Sequence, residues 1–197
     1  RDLGERPIVL HGVGGEVLAA EGLESVFRQE DIAVMGFGPV VARLPLLLRR
    51  ISDAAKAAAA FAPDLMLTID APDFGLRVDK KLRKLKPAVP IAHWVCPSVW
   101  AWRQGRARRM RPHVDRILAL LPFEPEALAR LGGPETVYVG HPLIERLDEL
   151  RPDVDEARLR ADAAAPLILV LPGSRGSEIR HLMPAFGETI ARIAQAL

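Results

Sequence analysis

Short apolar runs, each stopped by a turn and followed by a helix-forming stretch, constrain this chain more than any other feature. The runs are Ile8-Val9-Leu10, Pro63 to Asp70, Ile91 to Val95, Val114 to Leu121, Thr136 to Val139 and Leu167 to Leu171. Runs of this length bounded by Gly, Pro and Asp read as buried strands. Between them lie the alanine-rich Ser52 to Phe61, then Leu76 to Lys86 and Glu126 to Leu131, the last ended by Gly132-Gly133-Pro134. Those are helix formers with their stop signals. Strand and helix in alternation make an α/β chain. In open α/β sheets ligands gather at the carboxyl ends of the strands, so the residues that end each run are the ones to read for chemistry.

The run Ile91-Ala92-His93-Trp94-Val95 leads into Cys96-Pro97-Ser98-Val99-Trp100-Ala101-Trp102-Arg103-Gln104, a stretch that together with Trp94 holds all three tryptophans. Tryptophan is large and wants a partner for its indole N–H. Beside Pro97 the three form a rigid, partly apolar wall, with Ser98, Arg103 and Gln104 as polar handles. Such a wall suits a part-polar, part-greasy ligand, and it equally suits a core plug under a long loop. Arg103, Arg106, Arg108, Arg109 and Arg111 then crowd one helix. A solvated basic face, a phosphate site for a small ligand or lipid, and a nucleic-acid surface all fit that pattern.

The 197 residues suffice for one large or two small domains with a real core, and the formal net charge of +2 gives no global pull toward nucleic acid. The single cysteine excludes a disulfide framework and a cysteine metal cluster, which suits a reducing compartment. Cys96 has no dedicated base beside it and reads as a small buried hydrophobe. No signal peptide is visible and no apolar run is long enough to span a bilayer.

Asp70 ends its run, where a carboxylate can take a proton from a sugar hydroxyl or bind a ligand amine or hydroxyl. Asp73, just ahead of the expected helix at Leu76, has the spacing of a helix cap. The pair reads D-x-x-D, unlike the D-x-D used to hold a divalent metal on a nucleotide diphosphate, and no metal site is expected. His141, between Gly140 and Pro142 at a strand end, suits either a ligand contact or a turn hydrogen bond. Pro172-Gly173-Ser174-Arg175-Gly176-Ser177-Glu178 follows a strand and opens a helix. Its free N–H groups and the Arg175 fork favour an anion, with Glu178 free to pair with Arg175 or to hold a hydroxyl. The Gly12-Val13-Gly14-Gly15 turn lacks the G-x-G-x-x-G spacing and reads as structural. Val34 to Ile51 is apolar on nearly every side and flanked by Arg43, Arg49 and Arg50. A core helix and a membrane-surface helix both fit it, provided Pro45 starts a helix rather than interrupting one.

Several of these stretches, in order, resemble the lipid-A-disaccharide synthase family: Ala33-Val34-Met35-Gly36, Ile69-Asp70-Ala71-Pro72-Asp73-Phe74, Pro97-Ser98-Val99-Trp100-Ala101-Trp102-Arg103, Leu121-Pro122-Phe123-Glu124, Val139-Gly140-His141-Pro142 and Leu171-Pro172-Gly173-Ser174-Arg175-Gly176-Ser177-Glu178. The resemblance implies a GT-B type glycosyltransferase of two Rossmann-like halves, each a parallel sheet with flanking helices. It implies inverting transfer of 2,3-diacylglucosamine from UDP-2,3-diacylglucosamine to 2,3-diacylglucosamine 1-phosphate, with no cofactor, at the cytoplasmic face of the inner membrane. By it Asp70 is the general base and Arg175 the stabiliser of leaving UDP. Ser98, Trp100, Arg103, Gln104, His141, Gly173, Ser174 and Glu178 are the expected substrate contacts. Phe37, Val40, Val41, Leu44, Leu47 and Leu48 are the expected membrane contacts, and a homodimer is compatible with it.

The expected division is an acceptor-side domain over 1–150 and, over 151–197, a linker with the beginning of a UDP-sugar domain. Both ends read as cut, since family loops expected before Arg1 and after Leu197 are absent, and the fragment alone is expected to be inactive. Gly14-Gly15-Glu16-Val17 also departs from the family's more usual G-G-P-x-M. Two other classes compete: a nucleic-acid module built on the tryptophans and arginines, predicting steep salt dependence, and a membrane-docking scaffold that ignores Asp70. Neither explains why Asp70, the tryptophan wall and Gly173-Ser174-Arg175 all fall at strand ends.

Overall fold

The computed structural model describes residues 8–32, 43–161, 168–174 and 176–196, the side chain of Ser177 excepted. The chain divides into two compact units, Arg1–Ile144 and Glu145–Leu197.

The first unit is an α/β layer structure. Helix α1 (Glu16–Ala20) precedes the long α2 (Leu44–Phe61); then β1 (Met66–Ile69), α3 (Pro72–Leu85), β2 (Ile91–Trp94), α4 (Gly105–Met110), β3 (Arg116–Ala119), α5 (Glu124–Arg130) and β4 (Glu135–Tyr138) follow. The four strands form one parallel sheet in the order β1-β2-β3-β4, with Thr68 beside His93, His93 beside Ile117, and Ile117 beside Thr136. Helical crossovers between parallel neighbours are what the alternating sequence requires.

Side chains at paired positions share a face. One face carries Thr68, Ile91, His93, Ile117 and Ala119, all buried. Against it pack Leu82 of α3, Ala107 and Met110 of α4, and Leu128 of α5, with Cys96, Val99 and Val114 filling the loops. The opposite face stays more open, and Leu67 and Ile69 are 41% and 51% exposed. Helix α2 lies on α3 through Ile51, Ala55 and Val78. Pro45 stands in the first turn of α2, where its missing N–H costs nothing.

Three local expectations differ from the structure. Ile8-Val9-Leu10 is extended without joining the sheet, and the nearby pairing is a single bridge between Gly12 and Ser25. The Gly14 N–H goes to the Ser25 hydroxyl, so this glycine turn is occupied by the chain itself. Residues 168–171 likewise form no strand. Helix α3 begins at Pro72 rather than Leu76, because proline at the first turn pre-sets the helix. Asp73 therefore lies inside the first turn. The cap position is Ala71, and no side chain caps it.

Starting α3 at Pro72 puts Gly75, Val78, Asp79 and Leu82 on its buried side, an i, i+3, i+4, i+7 stripe. Gly75 allows a close approach there: a Cβ would stand 3.3 Å from Thr68 Cβ and 3.4 Å from His93 Cε1, a tight fit that the neighbours would have to yield to. Asp79 is a carboxylate in a core position, fully buried. The Thr68 hydroxyl donates to Asp79 Oδ2 at 2.9 Å and lies 2.7 Å from His93 Nδ1. Where that proton goes to an ionised Asp79, His93 Nδ1 donates to Thr68; where Asp79 is protonated and donates, Thr68 can donate to Nδ1. Burial pushes the Asp79 carboxyl up to about 7, against the opposing pull of Thr68 and Arg83. Burial also pushes His93 down to about 4, against the opposing field of Asp70.

The second unit carries α6 (Leu147–Leu150), α7 (Val154–Ala161) and α8 (Gly176–Ala196). Asp153 caps α7 by accepting the Glu156 N–H at 2.7 Å. Pro184 lies within α8.

The buried pair makes stability pH-dependent in opposed directions. Asp79 holds its proton at a higher pH folded than its ordinary 3.8, so its contribution is complete below pH 3.8 and is lost as pH rises through about 7. His93 contributes above its ordinary 6.5 and loses that contribution as pH falls through about 4. Urea unfolding from pH 4 to 8 will show Asp79→Asn gaining on the wild type as pH rises, by roughly 2–4 kcal/mol over the range. A difference independent of pH would mean that Asp79 is already ionised in the fold.

Candidate functional site

The carboxyl ends of β1 and β2 carry an unusual backbone. Asp70, Ala71, Val95 and Arg103 all have positive φ, at 50°, 40°, 76° and 54°. Side chains avoid that region, and a β-branched residue avoids it most. Each such residue costs of order 1 kcal/mol and persists only where surrounding contacts fix it. Here the sheet ladder does so: Asp70 N–H donates to Trp94 O at 2.9 Å, and Val95 N–H donates to Leu118 O at 3.0 Å. On this left-handed turn Asp70 is exposed, two residues after the buried Thr68.

Beside this turn lies a cavity of about 170 Å³ lined by Pro72, Asp73, Ser98, Trp102, Arg103 and Arg106, among others. Ser98 is exposed, Pro97 and Val99 are buried, and the Arg103 guanidinium lies over the Trp102 ring at 4.4 Å. That cation–π contact holds a charged fork against an apolar plate. Asp73 forms an ion pair with Arg106. It thus ties α3 to α4 across the mouth, which neither the capping reading nor the solvated-arginine reading had provided for.

The three tryptophans have separate tasks. Trp94 sits at the end of β2 with its indole N–H buried and without a partner among the described residues. Trp100 donates to Glu124 Oε1 at 3.3 Å and meets Phe123 edge-on at 5.0 Å. Trp102 is exposed. Trp100 is therefore a strut, and Trp102 is the plate open to a ligand. Gln104 stands at the start of α4, exposed, with its carbonyl accepting the Ala107 N–H.

Glu124 is the residue that sequence reasoning passed over except as part of a motif. It is 3% exposed. Its Oε2 accepts the N–H groups of Leu120 and Leu121 at 3.1 and 3.0 Å, while Oε1 takes the Trp100 indole. One buried carboxylate thus fixes both the β3–α5 turn and the tryptophan wall. The available signal was a Glu in the first turn of a helix directly after Pro122-Phe123, where a carboxylate meets free N–H groups. Cys96 lies close by, buried, and its thiol is pushed up to about 12 by burial and then by Glu124. It is no nucleophile at neutral pH.

His141 stands apart from this cavity's lining. Its Nδ1 accepts the Leu143 N–H at 3.2 Å, so the turn uses one ring nitrogen. In the second unit, Gly173 has φ 92°, and a Cβ there would fall 2.5 Å from Glu178 Oε2. The turn thus needs glycine because the Glu178 side chain folds back over it. Ser174 is exposed. Arg175 lies outside the described residues.

Of the apolar helix, Leu44 and Leu48 are 44% and 48% exposed, and Leu47 is half-buried. Arg50 does not serve the surface: it pairs with Asp31 and Asp53 and lies over the Phe27 ring. Phe37, Val40 and Val41 lie outside the described residues. No helix among the described residues is long and apolar enough to cross a membrane.

Comparison with known proteins agrees with the motifs. The family model described as lipid-A-disaccharide synthetase matches residues 2–197. A lipid-A-disaccharide synthase of Nitrobacter winogradskyi is 55% identical over 186 residues, covering 94% of this chain and 47% of the relative. That of Nitrobacter hamburgensis is 58% identical over 179 residues, 91% of this chain and 45% of its own. The more distant protein of Rhodospirillum centenum is 43% identical over 98% of this chain and 48% of its own. The chain spans about half the length of these curated relatives. With a family model over nearly every residue and a parallel α/β sheet carrying the motifs at its strand ends, the chain belongs to the lipid-A-disaccharide synthase family, whose members are glycosyltransferases.

Proposed function

We propose that this chain is the acceptor-side part of an enzyme that transfers 2,3-diacylglucosamine from UDP-2,3-diacylglucosamine to 2,3-diacylglucosamine 1-phosphate, releasing UDP in lipid A biosynthesis. The observation that carries the reading is the exposed Asp70 on its left-handed turn, next to a cavity walled by Ser98, Trp102 and Arg103. The acceptor hydroxyl meets the Asp70 carboxylate, which takes its proton. The freed oxygen pair attacks the anomeric carbon of the donor sugar from the side opposite UDP. The bond from that carbon to the diphosphate oxygen breaks, its electrons leave with UDP, and the anomeric centre inverts. The Trp102 plate with the Arg103 fork matches a sugar ring that is apolar on one face and bears hydroxyls at its edge. Ser98 and Gln104 supply neutral hydrogen-bond partners.

In this reading the first unit holds the acceptor, and the second begins the part that holds UDP. The Gly173-Ser174 turn and the start of α8 present backbone N–H groups to the diphosphate, and Arg175 offsets the charge that grows on it. Transfer then needs residues of both units and more of the family's length, so the 197 residues alone are expected to be inactive. The substrates are acylated, and the exposed Leu44 and Leu48 on α2, with Phe37, Val40 and Val41 before them, serve contact with the inner-membrane surface.

Two measurements test this. Extended to the full length of its relatives and assayed for UDP release with both substrates, the protein carrying Asp70→Asn is expected to lose about 10²–10⁴ in kcat with little change in KM. Unchanged turnover would remove Asp70 from the role of base. Replacing Leu44 and Leu48 together by serine is expected to lower partitioning onto phosphatidylglycerol-containing vesicles by about tenfold. Equal partitioning would place membrane contact elsewhere on the protein.

A further inference from the structure

A second groove opens off the cavity beside Asp70 and runs down between α3 and α4. Its volume is about 250 Å³, and its charged or titratable lining is Asp73, Arg77, Lys80, Arg106, Arg109 and His113. The two spaces share Pro72, Asp73 and Arg106, so they are continuous at the mouth. Four fixed cations face one carboxylate there. Asp73 is held by Arg106, and no ion pair links Arg77, Lys80 or Arg109 to a carboxylate among the described residues. On the same α3, Arg83 pairs with Asp115, while Lys81 and Lys84 of α3 and Arg108 of α4 have, like Arg77, Lys80 and Arg109, no ion pair among the described residues. What sets Arg77, Lys80 and Arg109 apart is that they line one groove together with Arg106.

We propose that this groove is the subsite for the phosphomonoester of the acceptor, with Arg77 and Arg109 closing on the phosphate from opposite walls, Lys80 behind them, and Arg106 at the entrance. The inference rests on the acceptor assigned under the proposed function and adds which side chains read its phosphate. A phosphomonoester carries close to two negative charges at neutral pH and presents three acceptor oxygens, which guanidinium forks match in pairs. The helix spacing suits it too. Arg77 lies four residues of α3 beyond Asp73 and Lys80 three more, about 6 Å and then about 4.5 Å along the axis. That is enough to seat a hexose ring between the hydroxyl presented to Asp70 and a phosphate at its far side. In the empty groove the Asp73 carboxylate occupies the Arg106 fork, which an arriving phosphate can share or take.

His113 reports on the field. It is half-buried and its protonation is disfavoured first by burial and then by Lys80, Lys84 and Arg83, against the Pro112 backbone contact, which favours it. Arg109 and Arg106 on the α4 side add charge of the same sign to the groove. A phosphate bound among them favours the protonated imidazole and raises its pKa.

The test uses the chain extended to the full length of its relatives and two acceptors, 2,3-diacylglucosamine with and without its 1-phosphate. In the Arg77→Gln/Arg109→Gln variant, KM for the phosphorylated acceptor is expected to rise about tenfold or more, with kcat within about twofold of wild type. KM for the acceptor lacking phosphate and for the UDP-sugar is expected to stay unchanged. Equal shifts for both acceptors, or none for either, would overturn the proposal. The second arm follows the His113 imidazole by NMR during titration with glucosamine 1-phosphate. A saturable rise in its pKa that the double variant loses, and that glucosamine does not produce, supports the subsite. No response to glucosamine 1-phosphate overturns it. A response of equal strength to inorganic phosphate overturns the assignment to the acceptor, and so does one to phosphatidylglycerol vesicles alone. If the wild type transfers to neither acceptor, the proposed function fails, and the NMR arm still decides the groove.

Discussion

The hydroxyl of Thr68 is the contact on which the rest of the site depends. It sits between a buried carboxylate, Asp79, and a buried imidazole, His93, and so joins β1, α3 and β2 at one point. A polar group in that position cannot be exchanged for an apolar one of similar size without leaving two buried partners unsatisfied, at about 1–3 kcal/mol each. The triad also fixes geometry. Gly75 lets α3 come close to Thr68 and His93, and the left-handed turn at Asp70 and Ala71 lies directly before this helix. The proposed base thus stands on a turn next to a buried polar cluster.

Glu124 plays the corresponding part on the other side of the mouth. Without it the Leu120 and Leu121 N–H groups would lack an acceptor, and the Trp100 indole would have none. The tryptophan wall then divides by the company each ring keeps. Trp94 ends a strand, Trp100 is tied to Glu124 and meets Phe123 edge-on, and Trp102 is exposed under Arg103. The rigidity of the wall comes from the two rings that are fixed, and recognition is left to the one that is open.

The sequence announced the order of elements and the strand ends, because hydrophobic runs closed by turn residues are local signals. Asp70 and Ser98, which the sequence put after strand ends, are both exposed beyond the carboxyl ends of β1 and β2. The sequence could not announce the Thr68–His93–Asp79 triad. Asp79 reads as one more charge beside the exposed Lys80 and Lys81 until Pro72 is known to start the helix, and only then do Gly75, Val78, Asp79 and Leu82 fall on one face. The same shift turned Asp73 from an expected cap into the partner of Arg106. Ile8-Val9-Leu10 shows the reverse error. Its apolar run is strand-like, but pairing depends on a neighbour, and among the described residues the pairing nearby is the Gly12–Ser25 bridge just after it.

Charge density along the sequence was a poorer guide than charge pairing in space. The arginines of residues 103–111 look alike as a string, yet they separate into kinds once folded. Arg103 is spread over an indole, Arg106 is bound by Asp73, and Arg109 lines the same groove as Arg77 and Lys80, none of the three having an ion pair among the described residues. Like charges gathered in a groove lower stability through mutual repulsion unless a counter-charge arrives. A fold that neutralises Arg50 twice over, with Asp31 and Asp53, has carboxylates to spend where pairing serves structure alone. Arg77, Lys80 and Arg109, with no ion pair among the described residues, line one groove, and in the subsite proposed above an anion brought in from outside offsets their repulsion. In that proposal the same repulsion favours a dianion over a neutral sugar.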